Sequence, residues 1–133
     1  MWRWCDVAFY FGLLLFAVWK WPHSPILVAA VVLAGVTFPL WIIARVQLGS
    51  AFSFGAKARH LVTTGLYSRI RHPVYLFGSL AGLASVLALQ VWWILLLALL
   101  IEPITLARAI QEEQVLQTAF REDYARYRER TWF

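Results

Sequence analysis

Residues 73–107 read PVYLFGSLAGLASVLALQVWWILLLALLIEPITLA, and Glu102 is the only charged side chain among them. As one helix, at about 1.5 Å per residue, this stretch would reach roughly 52 Å, far more than the ~30 Å hydrocarbon core of a bilayer. It must therefore fold back on itself. The turn is expected near Gln90, although no glycine or proline marks it, which gives two spans over about 73–90 and 91–108.

Toward the N-terminus, Ile26 to Ala44 supplies a further uncharged run close to the ~20 residues that a crossing needs, so a span is expected over about 26–45. Pro22 and Pro25 break the chain before it, and another apolar run, over about 5–21, is flanked by Trp2, Trp4, Trp19 and Trp21. Indole rings of this kind suit the headgroup level of a membrane. Arg3 ahead of an apolar run imitates a secretory leader, but Trp19-Lys20-Trp21-Pro22 offers no small-residue cleavage site, so a retained anchor is expected.

Composition agrees with a lipid solvent. The chain is 62% hydrophobic and only 14% charged, against about 45–50% and about 25% in soluble domains. At 133 residues it is too short for two independent cores, so residues 1–133 are expected to form a single membrane domain. A lone Cys5 excludes an internal disulfide framework and a cysteine zinc cluster. His23 and His60 stand alone, and no metal site is expected. The net charge of +5 comes from residues at the ends of apolar runs, so membrane orientation explains it better than nucleic acid, which is not an expected partner.

Arg45, Lys57, Arg59, Arg69 and Arg71 populate a polar connection over 45–72, and Arg108, Arg121, Arg126, Arg128 and Arg130 populate the C-terminal tail. By the bias of Lys and Arg toward the cytoplasm, both belong on that side, with the N-terminus beside them. In the tail, Glu113, Leu116, Phe120, Tyr124 and Tyr127 recur at steps of three and four, which predicts an amphipathic helix over about 108–130. The expected fold is thus all-α: a polytopic membrane protein of four transmembrane helices with a cytoplasmic loop and a C-terminal amphipathic helix.

Three places carry candidate chemistry. In Leu61-Val-Thr-Thr-Gly65-Leu-Tyr67-Ser-Arg-Ile-Arg71-His72-Pro73-Val-Tyr75, hydroxyls and cationic or titratable groups precede a span, and Pro73 suits its first turn. Free amides there, beside Arg71 and His72, suit an anionic group; the alternative is a plain topological anchor with interfacial tyrosines. Arg108 and Glu112 lie four apart and can pair on one face, while Glu113 turns toward the aromatic stripe, where it meets either a ligand or a loop arginine. Glu102, next to Pro103 inside an apolar run, is either functional or paired with a cation such as Arg45 or Arg71. Gly78 and Gly82, spaced G-x-x-x-G, admit a neighbouring helix closely, and self-association through them is a further expectation.

Taken together, the 61–75 segment, Arg108, Glu112-Glu113, Leu116, Phe120, Tyr124 and Tyr127 resemble in order and spacing the C-terminal signature of the isoprenylcysteine carboxyl methyltransferases and related phospholipid methyltransferases. Residues 45–53 are similar to the segment that precedes it, so the resemblance covers roughly residues 41–130. It implies methyl transfer from S-adenosylmethionine to a lipophilic acceptor at the cytoplasmic face of an integral, multi-pass protein surrounded by membrane lipids. Leu61, Gly65, Tyr67, Arg71, His72, Pro73, Tyr75 and Glu112 then become cofactor-binding candidates, and Arg108 and Glu113 the catalytic pair. The acceptor is an isoprenylcysteine-type carboxylate or a phospholipid amine; relatives that process prenylcysteine have more N-terminal helices than the four inferred here. The alternatives are a non-catalytic scaffold of the same fold and a nicotinamide-dependent membrane reductase.

Overall fold

A computed structural model describes residues 4–49 and 62–132. Four helices account for most of them: α1 (Cys5–Lys20), α2 (Pro25–Leu48), α3 (Pro73–Ala88) and α4 (Trp92–Arg130), with a 3-10 turn over Gly65–Ser68. The described residues form no strand, only one isolated parallel bridge between Ile70 and Trp132. Leu61, Lys57, Arg59 and His60 lie outside the described residues.

Local sequence explains the boundaries. Prolines sit in the first turns of α2 and α3, where a missing N–H costs nothing. Gly49, at φ 50, ends α2. The 73–107 stretch is broken between Ala88 and Trp92, where Gln90 takes φ 57, a left-handed value that a non-glycine residue adopts only in a tight turn.

Two helices, α2 and α4, are long and apolar enough to cross a membrane, and α3 is a shorter apolar helix. From Trp92 to Phe120, ahead of a kink at Arg121, α4 rises roughly 44 Å, so the helix outruns the bilayer. Here the structure departs from the expectation of a separate helix starting near 108: α4 continues without a break past Arg108 and bends only at Arg121, at φ 33. The reason is local, since Leu106 to Phe120 contains no glycine or proline and is rich in strong helix formers. Arg45, expected in the polar connection, lies in the last turn of α2 and is 5% exposed.

The helix α3 is the hub, packing on α1, α2 and α4, whereas α1 and α4 barely meet. Its buried face is built of small residues, with Ala81, Ala84, Ser85 and Ala88 fully covered. Small side chains let backbones approach, which is how helices associate when lipid removes the hydrophobic drive between them. The Gly78/Gly82 pair serves this packing inside the chain: a Cβ at Gly78 would lie 2.8 Å from Trp41 Nε1 of α2, and one at Gly82 would lie 3.2 Å from the Tyr10 ring of α1. Buried hydroxyls are satisfied locally, Ser85 by the Ala81 carbonyl (2.8 Å) and Thr37 by the Leu33 carbonyl (2.9 Å). Large apolar side chains, among them Val28, Val32, Val36, Leu96 and Leu100, point outward instead. Such a surface would be a liability in water and suits a surround of acyl chains. The chain is a helical membrane protein.

One end of the bundle is polar. There Arg45 binds Asp6 with both terminal nitrogens (2.7 and 2.5 Å), the Leu66 N–H donates to Gln47 (2.8 Å), and the Tyr127 hydroxyl donates to the Tyr67 carbonyl (2.7 Å). Lys20, Trp21 and the Gln90 turn lie at the opposite end.

Candidate active site

Because α1 and α4 both lean on α3 without closing on each other, a cleft of about 900 Å³ opens between them. Its inner end is apolar, lined by Leu13, Leu83, Val86, Ile94 and Leu97. Its mouth is polar, lined by Asp6, Arg45, Tyr75, Arg108, Gln111 and Glu112. Along α4, Glu102, Thr105, Arg108 and Glu112 all line it, at steps of three, three and four that keep them on one helix face.

At the mouth, the Tyr75 hydroxyl donates to the Glu112 carboxylate at 2.6 Å. Burial raises the Glu112 pKa above the ordinary carboxylate value, and the tyrosine bond partly opposes that rise. Arg108 is exposed and forms no ion pair among the described residues. Arg108 and Glu112 were expected to be able to pair; they share the face without doing so, which leaves a free guanidinium beside a half-buried carboxylate.

Behind the mouth lies a second polar cluster. Arg71 Nη1 meets Glu113 Oε1 at 2.9 Å, and Arg128 Nε approaches the same oxygen at 3.8 Å. Tyr124 is fully buried nearby, with its hydroxyl pKa pushed up to about 12, by burial first and then by the Glu113 charge. Burial raises Tyr127 to about 12 against the pull of Arg71, and it raises Tyr67 as well. His72 is 9% exposed, and its Nε2 has no hydrogen-bond partner among the described residues. Burial holds its pKa below the ordinary value, with Glu113 opposing and Arg71 pushing the same way as burial. The tail closes over this cluster: Trp132 N–H donates to the Arg69 carbonyl (2.7 Å) and Arg71 N–H to the Trp132 carbonyl (3.3 Å).

The structure therefore divides the candidate residues. Tyr75, Arg108 and Glu112 reach the cleft wall. Glu113 does not line it and instead meets a loop arginine, the alternative left open for it. Tyr67, Arg71, His72 and Pro73 form the layer behind. Gly65, at φ 63, is shaped by its neighbour, because a Cβ there would collide with the Gln47 amide. Glu102 lines the cleft, and both cations suggested for it are engaged elsewhere, Arg45 with Asp6 and Arg71 with Glu113. Asp6, Tyr10, Trp41, Ser79 and Gln111 were not singled out from the sequence. For Asp6 a signal existed, since opposite charges at matching ends of two adjacent spans are natural partners.

The family described as phospholipid methyltransferase matches residues 23–123, about three quarters of the chain. No curated protein matches, and no solved structure does.

Proposed function

The chain belongs to the phospholipid methyltransferase family, and from that premise we propose that it is a multi-pass enzyme that methylates a lipid acceptor, with S-adenosylmethionine as cofactor. The observation that carries the reading is the cleft itself, in which a polar mouth runs into an apolar trough along one face of α4. An amphiphile fits that gradient with its head at Arg108 and Glu112 and its chain toward Leu97 and Ile94. The gap between α1 and α4 offers it a sideways entry from the bilayer.

The donor set suits this cofactor. Glu112 is the carboxylate at the mouth with no cationic partner among the described residues, Asp6 and Glu113 both being ion-paired. It is thus available to an ammonium or to ribose hydroxyls, and Gln111 beside it adds an amide. Tyr75 extends the polar wall, and the buried His72, whose Nε2 has no hydrogen-bond partner among the described residues, lies in the layer behind it. When bound, the cofactor supplies an electrophilic methyl group on a sulfonium, so the chain has little acid–base work to do beyond alignment. Arg108 holds an anionic group of the acceptor, a carboxylate or a phosphate, with its planar fork. If the acceptor is an amine, its nitrogen must shed one proton, and Glu112 takes that proton on its free oxygen. If it is a carboxylate, no proton moves and Arg108 alone aligns it. Glu113 acts at one remove, as a positioning residue that holds Arg71 beside His72.

All four helices cross the bilayer in this reading, with the polar, Arg-rich end of the bundle in the cytoplasm. The test is transfer of labelled methyl groups from S-adenosylmethionine into a lipid extract by the purified protein, with titration of S-adenosylhomocysteine as the binding measurement. A non-catalytic scaffold neither transfers label nor binds the cofactor product.

A further inference from the structure

Glu102 is half-buried in the cleft wall and is the one charged residue between Trp92 and Ala107 of α4. It forms no ion pair or hydrogen bond among the described residues. A carboxylate in hydrocarbon without a partner is costly, and residues placed so commonly mark a ligand path. Among the described residues no ion pair relieves the cost, the Arg45 guanidinium being bound to both oxygens of Asp6.

Three hydroxyls also line this cleft: Tyr10 on α1, Ser79 on α3 and Thr105 on α4. None makes a hydrogen bond among the described residues. The contrast with Thr37 and Ser85 is informative. Those two helical hydroxyls fold back onto carbonyls of their own helices, whereas Ser79 and Thr105 leave that option unused. A belt of polar groups thus faces the cleft between its mouth and its apolar end.

We propose that Glu102, with Tyr10, Ser79 and Thr105, forms an intramembrane subsite that recognises a hydrogen-bond donor on the backbone of the lipid acceptor. The proposal rests on the reading of the cleft as the acceptor site. Glu102 lies six residues before Arg108, about 9 Å along the helix, and Cα–Cβ bonds in a helix tilt toward its N-terminus, so the Arg108 side chain sets out toward Glu102. The remaining gap matches the few bonds between a lipid phosphate and the adjacent backbone. Hydroxyls such as those of Tyr10, Ser79 and Thr105 can donate to ester carbonyls, but a carboxylate only accepts. The selected class is therefore a lipid with a free hydroxyl or an amide N–H next to its head group, a monoacyl or amide-linked lipid, in preference to a diester.

The test uses two probes that differ at one position: a monoacyl phosphatidylethanolamine with its free glycerol hydroxyl, and the same lipid with that hydroxyl methylated. Their binding to the purified full chain is measured by native mass spectrometry, for wild type, Glu102→Leu and Glu102→Gln. Wild type should favour the free hydroxyl at least tenfold, the weaker end of what a hydrogen bond to a charged group supplies. Glu102→Gln keeps an acceptor and should retain part of that ratio, and Glu102→Leu should bring it to one. A wild-type ratio near one, as a merely water-filled cleft would give, overturns the subsite, as does an unchanged ratio in Glu102→Leu. Either result leaves methyl transfer standing, since that depends on the label assay. Conversely, a chain that transfers no methyl group but keeps the tenfold ratio retains the subsite and loses the enzyme.

Discussion

The Tyr75 hydroxyl and the Glu112 carboxylate, 2.6 Å apart, join the first turn of α3 to α4 at the polar mouth of the cleft. The contact places a proton-accepting group at the point where an acceptor head would enter, and it sets that group's titration. Burial raises the Glu112 pKa, so the folded chain favours the protonated form more than the unfolded chain does. The associated stability is fully present below the ordinary value of 4.5 and is lost as pH rises through the higher folded value. Glu112→Gln should therefore melt higher than wild type at neutral pH, with the gain vanishing at acidic pH. Tyr75→Phe should raise the Glu112 pKa further and move the acid limb of the pH–rate profile to higher pH. Thermal melts and rate profiles across pH measure both.

Arg108 and Glu113 separate by kind of effect. Arg108 is exposed and has no ion pair among the described residues, so Arg108→Ala should leave stability within about 0.5 kcal/mol while lowering turnover at least ~100-fold, about 2.7 kcal/mol of barrier. Glu113→Ala strips the partner from a guanidinium whose side chain is 18% exposed, and it should cost about 1–3 kcal/mol of stability. Removing Arg71 as well should recover part of that loss in a double-mutant cycle. Equal losses of turnover and stability in both single variants would refute the division.

Gly65→Ala should destabilise the fold by about 2–3 kcal/mol, from roughly 1–2 for a left-handed alanine and about 1 for the Leu66 N–H bond lost as Gln47 moves aside. Adding Gln47→Ala relieves the collision but not the backbone strain, so the double variant should remain less stable than Gln47→Ala alone. Unfolding in a denaturing detergent reads both.

Asp6→Asn leaves the Arg45 guanidinium, 5% exposed, with only part of its present bonding. The Trp41 ring, 4.8 Å from the guanidinium carbon, supplies part of the compensation. Because the Asp6 side chain is 43% exposed, a loss of about 1–3 kcal/mol is expected, and retention of wild-type stability would show that the pair is dispensable.

Orientation is testable with single cysteines in a Cys5→Ser background. A cysteine at Thr118 should resist an impermeant reagent applied to intact cells, and one at His23 should react. The reverse pattern would invert the topology.

Much was settled by composition and order along the chain. An apolar stretch longer than a bilayer is thick has to turn, and prolines in first turns declare where helices start, whereas the continuation of α4 past Arg108 was not foreseen. These are local effects, set by the residues that carry them. The signature from Leu61 to Tyr127 also lies in the order of the sequence, which is why the family was legible there. Partnership was not. A charge announces that it needs a counterpart but not which one, because its pairs come from remote positions: Asp6 with Arg45, Arg71 with Glu113, Tyr75 with Glu112. Only the packing of α1 and α4 on the small-residue face of α3 turned Glu112 into the cleft, gave Glu113 to Arg71 and left Glu102 facing open space. Helix periodicity gives the angle between two side chains on one helix, whereas the direction that angle faces is decided by what the helix packs against.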